Sequence, residues 1–370
     1  MKLITPNHGR NLVNMSNSIR LRYGLNPFHP TLKEIDDLLQ KHDRVVFLLF
    51  DGMGKHIIQE HAKPNSGLLH HRHIPIYSTF PATTVAATNG FLTSRYPIET
   101  GWLGWMQYFA DIDMQVDVFT NQESWQKITI PGDNIMDKVA LKNNVFDDVK
   151  NARSDIRVEQ IWPSFRPNGA TSTRQFFRKL SRSLKGEEKL LMYGYWIEPD
   201  KSLHHEGLGS KSIKRAIDLI DRKLTRLTRK HKDTLFLVFA DHGLTPIEYL
   251  DIDEHEDLFK LLKRPFANEP RAASFFVQDG AHQAFEKLFN EYYGDYFILK
   301  SQKEILDEKW FGQGEPSNLS LSFLGDYLAV AKDKYAFHYT KARKKTMVAH
   351  HAGILDQEVE VDVVVYNENK

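Results

Sequence analysis

Seven side chains in this chain have the types and positions expected of a site that binds metal ions. Each lies at the end of a predicted strand or at the start of a predicted helix. They are three carboxylates, three imidazoles and one hydroxyl: Asp51, Asp200, Asp241, His204, His242, His351 and Thr84. Two divalent ions need roughly three protein ligands each and an open position for substrate. The set therefore predicts a two-metal site, with ions about 3.5–4 Å apart and a hydroxyl that bridges or attacks.

The donor atoms of this set restrict the metal. The chain contains no cysteine, which excludes thiolate metal sites, disulfides and cysteine nucleophiles. Oxygen and imidazole ligands without thiolate suit Zn²⁺ and also accept Mn²⁺ or iron. The expected cofactors are therefore two divalent metal ions, with Zn²⁺ favoured over Mn²⁺.

Most of these residues have an ordinary structural explanation when they are taken singly. Thr83 or Thr84 would serve as a helix N-cap, a position that threonine favours. Asp200, with His204 four residues later, would form a turn with a solvent-facing imidazole. Only the pair Asp241-His242, before a glycine at a strand end, is hard to explain by packing. The joint occurrence of all seven favours a functional site.

Two short apolar runs position three of the seven residues. Residues 45–50 run without interruption into Asp51, and residues 235–240 run into Asp241. Such runs are far too short to cross a bilayer and suit strands buried on both faces of a parallel sheet. Open α/β sheets bind their ligands at the carboxyl ends of these strands. Gly52, directly after Asp51, leaves room beside the expected ion.

The rest of the chain predicts helices that cover this sheet and a smaller unit outside it. Helical spacing of apolar residues marks the segments 11–21, 31–40, 144–152, 172–185 and 211–232. Strand-like composition marks the segments 190–196, 318–338 and 359–365. The order strand, helix, strand, helix predicts a small α+β insertion at about 262–315, within one catalytic domain of residues 1–370. The His-rich segment 61–73 is predicted to be a solvated loop.

Composition sets broad limits on partners and location. The chain has 370 residues, of which 41% are hydrophobic, and a formal net charge of +1. This charge gives no general reason to expect nucleic-acid or membrane binding, and the basic helix at 211–232 is predicted to be a solvated outer face. No signal core or membrane-spanning run is present in the sequence. A cytoplasmic location is therefore expected.

The motifs also occur in a specific order along most of the chain, from about residue 45 to 365. The residues concerned are Phe50-Asp51-Gly52, Phe80-Pro81-Ala82-Thr83-Thr84, Thr93, Tyr96-Pro97, Gly101, Asp200 with His204 and Gly207, Asp241-His242-Gly243, and His351-Ala352-Gly353. This ordered set resembles the type I phosphodiesterase/nucleotide pyrophosphatase family of the alkaline phosphatase superfamily. The resemblance implies a three-layer α/β/α sandwich with a mostly parallel central sheet, and the insertion is similar to the small cap of bacterial relatives.

The resemblance also implies how the ligands divide between two zinc ions. One ion takes Asp51, Asp241 and His242, with Thr84 beside them, and the other takes Asp200, His204 and His351. Thr84 rather than Thr83 matches the nucleophile of the family, because Thr93 and the pair Tyr96-Pro97 then fall at the expected offsets.

Some positions depart from the family pattern. Ser94 replaces a usual glycine, and Thr100 replaces a usual histidine. Trp105 stands at the offset of the asparagine that helps to hold phosphate in the nucleotide pyrophosphatases, which weighs against nucleotide diesters as substrate. His205 and His350 adjoin predicted ligands but match no ligand position.

The function implied is hydrolysis of a small-molecule phosphoester through a phospho-threonine intermediate. Coordination to a divalent ion lowers the pKa of a threonine hydroxyl, so that no histidine base is needed. A phosphomonoesterase or a metal-dependent phosphomutase would use the same residues. A catalytically silent metal-binding protein is a third alternative, against which the complete ligand set and the intact Thr84 argue.

Overall fold

The computed structural model describes residues 2–6, 8–139, 141, 144–339 and 345–369. In this part of the chain the strands are β1 (Arg44–Phe50), β2 (Arg72–Ile74), β3 (Met106–Phe109), β4 (Met114–Asp117), β5 (Gln122–Glu123), β6 (Arg157–Ile161), β7 (Leu190–Trp196), β8 (Leu235–Phe239), β9 (Thr245–Pro246), β10 (Glu248–Asp251), β11 (Ala267–Glu269), β12 (Ala272–Phe275), β13 (Phe297–Ser301), β14 (Tyr327–Ala331), β15 (Tyr335–His338), β16 (Ala349–His350) and β17 (Val363–Tyr366).

The helices of the same residues are α1 (Leu12–Arg22), α2 (Lys33–Gln40), α3 (Lys55–His61), α4 (Gly67–His70), α5 (Thr84–Thr93), α6 (Pro97–Thr100), α7 (Ile135–Val139), α8 (Val145–Ala152), α9 (Thr173–Ser183), α10 (Asp200–Glu206), α11 (Lys211–Lys230), α12 (Glu256–Phe259), α13 (His282–Tyr293), α14 (Gln302–Asp307), α15 (Asn318–Leu324) and α16 (Asp356–Val359), with a short 3₁₀ turn at Ala110–Ile112. Among these helices, none combines the length and the apolarity that crossing a membrane requires.

The central sheet has the strand order β2-β17-β8-β1-β7-β6. Strands β8, β1, β7 and β6 are parallel, and β17 pairs antiparallel with both β8 and β2. Every residue of β1, β7 and β8 is buried, which explains their continuous apolar sequence. The predicted mostly parallel sheet is confirmed.

Helices cover both faces of this sheet. The ring of Phe47 points to one face, where its centroid lies 6.0 Å from Phe91 of α5 and 6.3 Å from Phe146 of α8. The ring of Phe50 points to the other face, 6.1 Å from Phe176 of α9. Residues three apart in a strand lie on opposite faces, so the sheet is the middle layer of an α/β/α sandwich, as expected.

A second, antiparallel sheet has the order β13-β14-β12-β11-β3-β4-β5. The segment 262–315 contains β12, α13, β13 and α14 in the predicted order, and also the strand β11, which was not predicted. The sheet also includes strands from 106–123 and from 327–331, on either side of that segment. The predicted limits of the insertion stay a prediction, but the sheet that it joins extends beyond them.

Three local predictions need correction. Residues 318–324 are the helix α15 rather than strand, because Ser317 caps its first turn. The last core strand is Val363–Tyr366, and Val359 instead ends the short helix α16. The His-rich segment 61–73 is not a loop throughout, because it contains α4, and its residues Arg72 and His73 pair in β2 with the antiparallel strand β17.

Candidate active site

Three adjacent strands bring four of the predicted residues to one edge of the central sheet. Asp51 follows β1, Asp241 and His242 follow β8, and Asp200 begins the helix α10 after β7. The order β8-β1-β7 places these strand ends side by side. Backbone contacts hold the ends together: the Asp200 N–H donates to the Asp51 carbonyl at 3.0 Å, and the Gly52 N–H donates to Asp241 Oδ1 at 3.1 Å.

The side chains form two overlapping groups with metal-ligand geometry. In each group the candidate ligand atoms lie within 4.8 Å of one another. One group is Asp200, His204 and His351, and the other is Asp51, Asp200 and His242. The Asp200 carboxylate therefore lies between the two groups. Asp241 adjoins the second group, since its Oδ2 lies 3.7 Å from His242 Nε2; the predicted division of ligands stays a prediction.

Unsatisfied buried atoms test whether this cluster suits cations. Asp200 Oδ1, Asp241 Oδ2 and His351 Nδ1 are buried and have no hydrogen-bond partner among the described residues. Such an atom costs about 1–3 kcal/mol, more when it is charged. Unpaired carboxylate oxygens and an unpaired imidazole nitrogen are the kinds of atom that a divalent cation binds, so the chemistry of the residues present fits the predicted ions.

The electrostatics lead to the same conclusion. Burial raises the pKa of Asp241 well above its usual value, and repulsion from Asp51 adds to the shift. Burial also raises the pKa of Asp51, together with the charge of Asp200. For His242, burial alone would lower the pKa, but the neighbouring carboxylates raise it to about 10. The buried carboxylates Asp51 and Asp241 are thus costly to ionise without positive charge nearby, and bound divalent ions would supply that charge.

Backbone carbonyls orient two of the imidazoles. His204 Nδ1 lies 2.9 Å from the Ala349 carbonyl, and His242 Nδ1 lies 3.0 Å from the Gly243 carbonyl. Each Nδ1 therefore carries the proton, and Nε2 is left as the ligand atom. The Nε2 atom of His204 is 3.4 Å from Asp200 Oδ2.

Thr84 lies at the start of α5, where the helix points toward this cluster. Its Oγ1 is 3.1 Å from His242 Nε2 and 3.3 Å from Asp51 Oδ1. Among the described residues, none accepts a hydrogen bond from the N–H groups of Thr84, Val85 or Ala86. These donors and the helix dipole favour an anionic group at this position.

Several contacts of the site were not predicted from the sequence. Tyr195 donates a short hydrogen bond to Asp51 Oδ2. Glu269 Oε1 accepts from Thr83 Oγ1 at 2.7 Å and from the Trp105 N–H at 2.8 Å. Burial raises the pKa of this carboxyl to about 7. The only sequence signal for Glu269 was a charged residue within a predominantly apolar segment.

The two histidines that match no ligand position differ in environment. His350 is buried, with its ring centroid 5.1 Å from that of His204 and its Nδ1 3.0 Å from the His351 carbonyl. Burial lowers its pKa to about 3. His205 lies at the surface. Neither belongs to the two groups with metal-ligand geometry.

Gly52 offers a direct test of the room beside the site. It has a φ of +68°, and a Cβ at this position would lie 2.7 Å from Asp200 Cβ and 2.8 Å from Leu244 Cδ1. We expect Gly52→Ala to displace Asp200, to reduce metal content, and to lower the free energy of unfolding by about 1–3 kcal/mol beyond the cost of the positive φ. Metal analysis and denaturant unfolding measure both effects.

Gly24→Ala is the matched control for this variant. Gly24 has a φ of +81°, and no atom lies within 4 Å of the position that a Cβ would take there, so it carries the conformational cost without the clash. Equal destabilisation by the two substitutions, with full metal content in both, would contradict the expectation.

Comparison with known proteins identifies a family for most of the chain. Residues 45–353 match the model of the family described as type I phosphodiesterase / nucleotide pyrophosphatase. The structure is similar to that of murine ectonucleotide pyrophosphatase/phosphodiesterase 5 (ENPP5), with a TM-score of 0.65 and 14% identity over 87% of this chain and 88% of that one. No match was found among curated proteins at the sequence level.

Two further solved structures extend the comparison. An inactive threonine-to-alanine variant of murine ENPP5 in complex with AMP gives a TM-score of 0.64 and 14% identity over 87% of each chain. Phosphonoacetate hydrolase from Sinorhizobium meliloti 1021, in complex with phosphonoformate, gives 0.62 and 13% identity over 86% of this chain and 89% of that one. At these identities the likeness concerns the fold.

Proposed function

Because this chain belongs to the type I phosphodiesterase/nucleotide pyrophosphatase family and is thus a hydrolase of phosphoric ester bonds, we propose that Thr84 is its nucleophile. The observation that carries the proposal is the position of the Thr84 hydroxyl, 3.1 Å from His242 Nε2 and 3.3 Å from Asp51 Oδ1. This hydroxyl stands at a helix start whose N–H groups have no acceptor among the described residues. Nucleophile and anion-binding donors are therefore adjacent.

Two divalent ions, Zn²⁺ in the first instance, complete the proposed site. Their ligands would be Asp51, Asp241 and His242 for one, and Asp200, His204 and His351 for the other. When bound, they would supply Lewis-acid chemistry that lowers the pKa of the nucleophilic hydroxyl and stabilises the departing oxygen.

The reaction that the chain's own residues would perform has two steps. Thr84 Oγ1 attacks phosphorus in line, the ester P–O bond breaks, and the alcohol leaves with a proton. Water then attacks the phospho-Thr84 intermediate, which releases the phosphate product and restores the threonine hydroxyl. The N–H groups at the start of α5 hold the non-bridging oxygens in both steps, and the hydrogen bond from Tyr195 fixes the orientation of the Asp51 carboxylate.

The comparisons support this choice of nucleophile without naming the substrate. That a threonine-to-alanine variant of murine ENPP5 is inactive supports a threonine nucleophile on this fold. AMP in that structure and phosphonoformate in the structure of phosphonoacetate hydrolase make phosphodiesters, phosphomonoesters and phosphonates the compounds to compare. The cytoplasmic location inferred from the sequence stays a prediction.

Parallel turnover measurements test the proposed function. Zinc-loaded protein is offered an aryl phosphodiester, an aryl phosphomonoester and a phosphonate, with metal content measured on the same samples. We expect the diester to be hydrolysed fastest and activity to disappear on chelation and return with Zn²⁺. Preferred hydrolysis of the monoester would favour the phosphomonoesterase alternative. Two bound ions without turnover of any compound would favour a silent metal-binding protein.

A further inference from the structure

The buried carboxyl of Glu269 has no part in the mechanism described so far, although it contacts the residue that precedes the proposed nucleophile. It ends β11 of the second sheet and is 2% exposed. Its Oε1 accepts from Thr83 Oγ1 at 2.7 Å and from the Trp105 N–H at 2.8 Å. The first contact joins it to the residue that immediately precedes Thr84.

Thr83 is the N-cap residue of α5, with the extended backbone (φ −136°, ψ 150°) that an N-cap residue adopts. A threonine there normally accepts a hydrogen bond from the second or third N–H group of its helix, here Val85 or Ala86. Thr83 does not do so. Its hydroxyl is turned away from the helix and donates to Glu269 instead.

The side chain of Thr83 differs from the other polar N-cap side chains in this structure. Within the described part of the chain, each other Ser, Thr or Asn that serves as an N-cap accepts a hydrogen bond from its own helix: Asn11, Ser66, Asn144, Ser172, Ser210, Ser301 and Ser317. Thus α5, which carries the proposed nucleophile, is the one helix of this group whose N-cap side chain could accept a hydrogen bond from the first turn but does not.

We propose that Glu269 is a positioning residue that holds the Thr83 hydroxyl away from α5 and so keeps the helix start open for the phosphoryl group. This inference rests on the proposed function. Without the Glu269 acceptor, rotation about one side-chain bond lets the Thr83 hydroxyl cap its own helix. The cap would then compete with the non-bridging oxygens of the substrate for the same N–H donors.

Substitution of both partners separates this role from simple loss of packing. Glu269→Ala removes the acceptor and permits the self-cap. Adding Thr83→Val to that variant removes the hydroxyl that could cap the helix. The hydrogen bonds that Glu269 formed remain absent in this double variant. Glu269→Gln is the conservative variant, since its amide oxygen still accepts from Thr83. A merely structural role predicts that the double variant is no better than Glu269→Ala.

The probe is inorganic phosphate, titrated calorimetrically into zinc-loaded full-length protein, with turnover of the aryl phosphodiester measured alongside. We expect Glu269→Ala to weaken phosphate binding by about tenfold, the value of one hydrogen bond to a charged group. KM should rise with it more than kcat falls. Glu269→Gln and the double variant Glu269→Ala/Thr83→Val should bind phosphate within about threefold of the native protein.

Each outcome decides between the proposals. Native protein that binds phosphate and turns over diester, with a double variant no better than Glu269→Ala, would overturn this inference and leave the proposed function intact. Native protein that neither binds phosphate nor hydrolyses any ester would overturn both. Thermal unfolding adds an independent measure, because the self-cap should make Glu269→Ala melt at a higher temperature than the double variant.

Discussion

Thr84→Ala is expected to lower kcat for phosphodiester hydrolysis at least about 10³-fold, equivalent to about 4 kcal/mol of transition-state stabilisation. The variant loses the oxygen that is proposed to attack phosphorus, while the six proposed carboxylate and imidazole ligands remain. Metal content should therefore stay at the native level. Steady-state kinetics and metal analysis on the same preparation measure the two quantities.

Two variants control this experiment. Thr84→Ser keeps a hydroxyl at the same position and should retain measurable turnover. Thr93→Ala removes a buried hydroxyl from the other end of α5, where it donates to the Asn89 carbonyl at 2.6 Å, and should leave kcat unchanged. Full turnover by Thr84→Ala with both ions bound would show that another group attacks phosphorus.

Arg271→Met is expected to lower the free energy of unfolding by about 3–5 kcal/mol, the cost of leaving a buried charge without its partner. Arg271 and Glu358 are both 0% exposed and form a bidentate pair, with Nε–Oε1 at 2.7 Å and Nη2–Oε2 at 2.8 Å. Glu358 also accepts from the N–H groups of Gly353 and Leu355. Denaturant unfolding of the metal-free protein measures the loss.

The same pair bears on the metal site, because Gly353 follows His351 by two residues. We therefore expect Arg271→Met to weaken metal binding as well. Adding Glu358→Gln removes the unpaired charge and should recover part of the stability.

Arg153→Met is the surface control for the loss of a bidentate pair. Arg153 contacts Asp155 through Nε and Nη2, each at 2.9 Å, but the two side chains are 31% and 49% exposed. Because solvent screens this pair, breaking it should leave the free energy of unfolding nearly unchanged. If Arg271→Met and Arg153→Met proved equally mild, the buried pair would not have the stabilising role assigned to it.

The parts of the site that could be predicted from the sequence are those set by local pattern and by sheet topology. An apolar run followed by an acid locates Asp51 and Asp241, because the carboxyl ends of parallel strands share one edge. The mostly parallel sheet follows from the same runs. The proximity of Asp200 to both ligand groups required the order β8-β1-β7, which no single run reveals.

The parts that could not be predicted are contacts between distant segments. Glu269 meets Thr83 across 186 positions, and Arg271 meets Glu358 across 87. An ionisable residue in an apolar segment does not indicate which remote group forms its hydrogen bonds. The error at 318–324 has a different cause, since a short apolar segment is compatible with either helix or strand, and the Ser317 cap favoured the helix.

The tight turn between β11 and β12 has a consequence for exchanging parts among relatives. Glu269 pairs with Ala272 in this hairpin, so Pro270 and Arg271 alone form its loop. Glu269 accepts a hydrogen bond from Thr83, which directly precedes α5, and Arg271 pairs with Glu358, which follows His351 in the chain. A chimera that received this hairpin from another family member, without matching residues at Thr83 and Glu358, would leave the side chains at positions 269 and 271 buried without their hydrogen-bond partners. Recombination borders are thus better placed away from this turn, in the surface connections on either side.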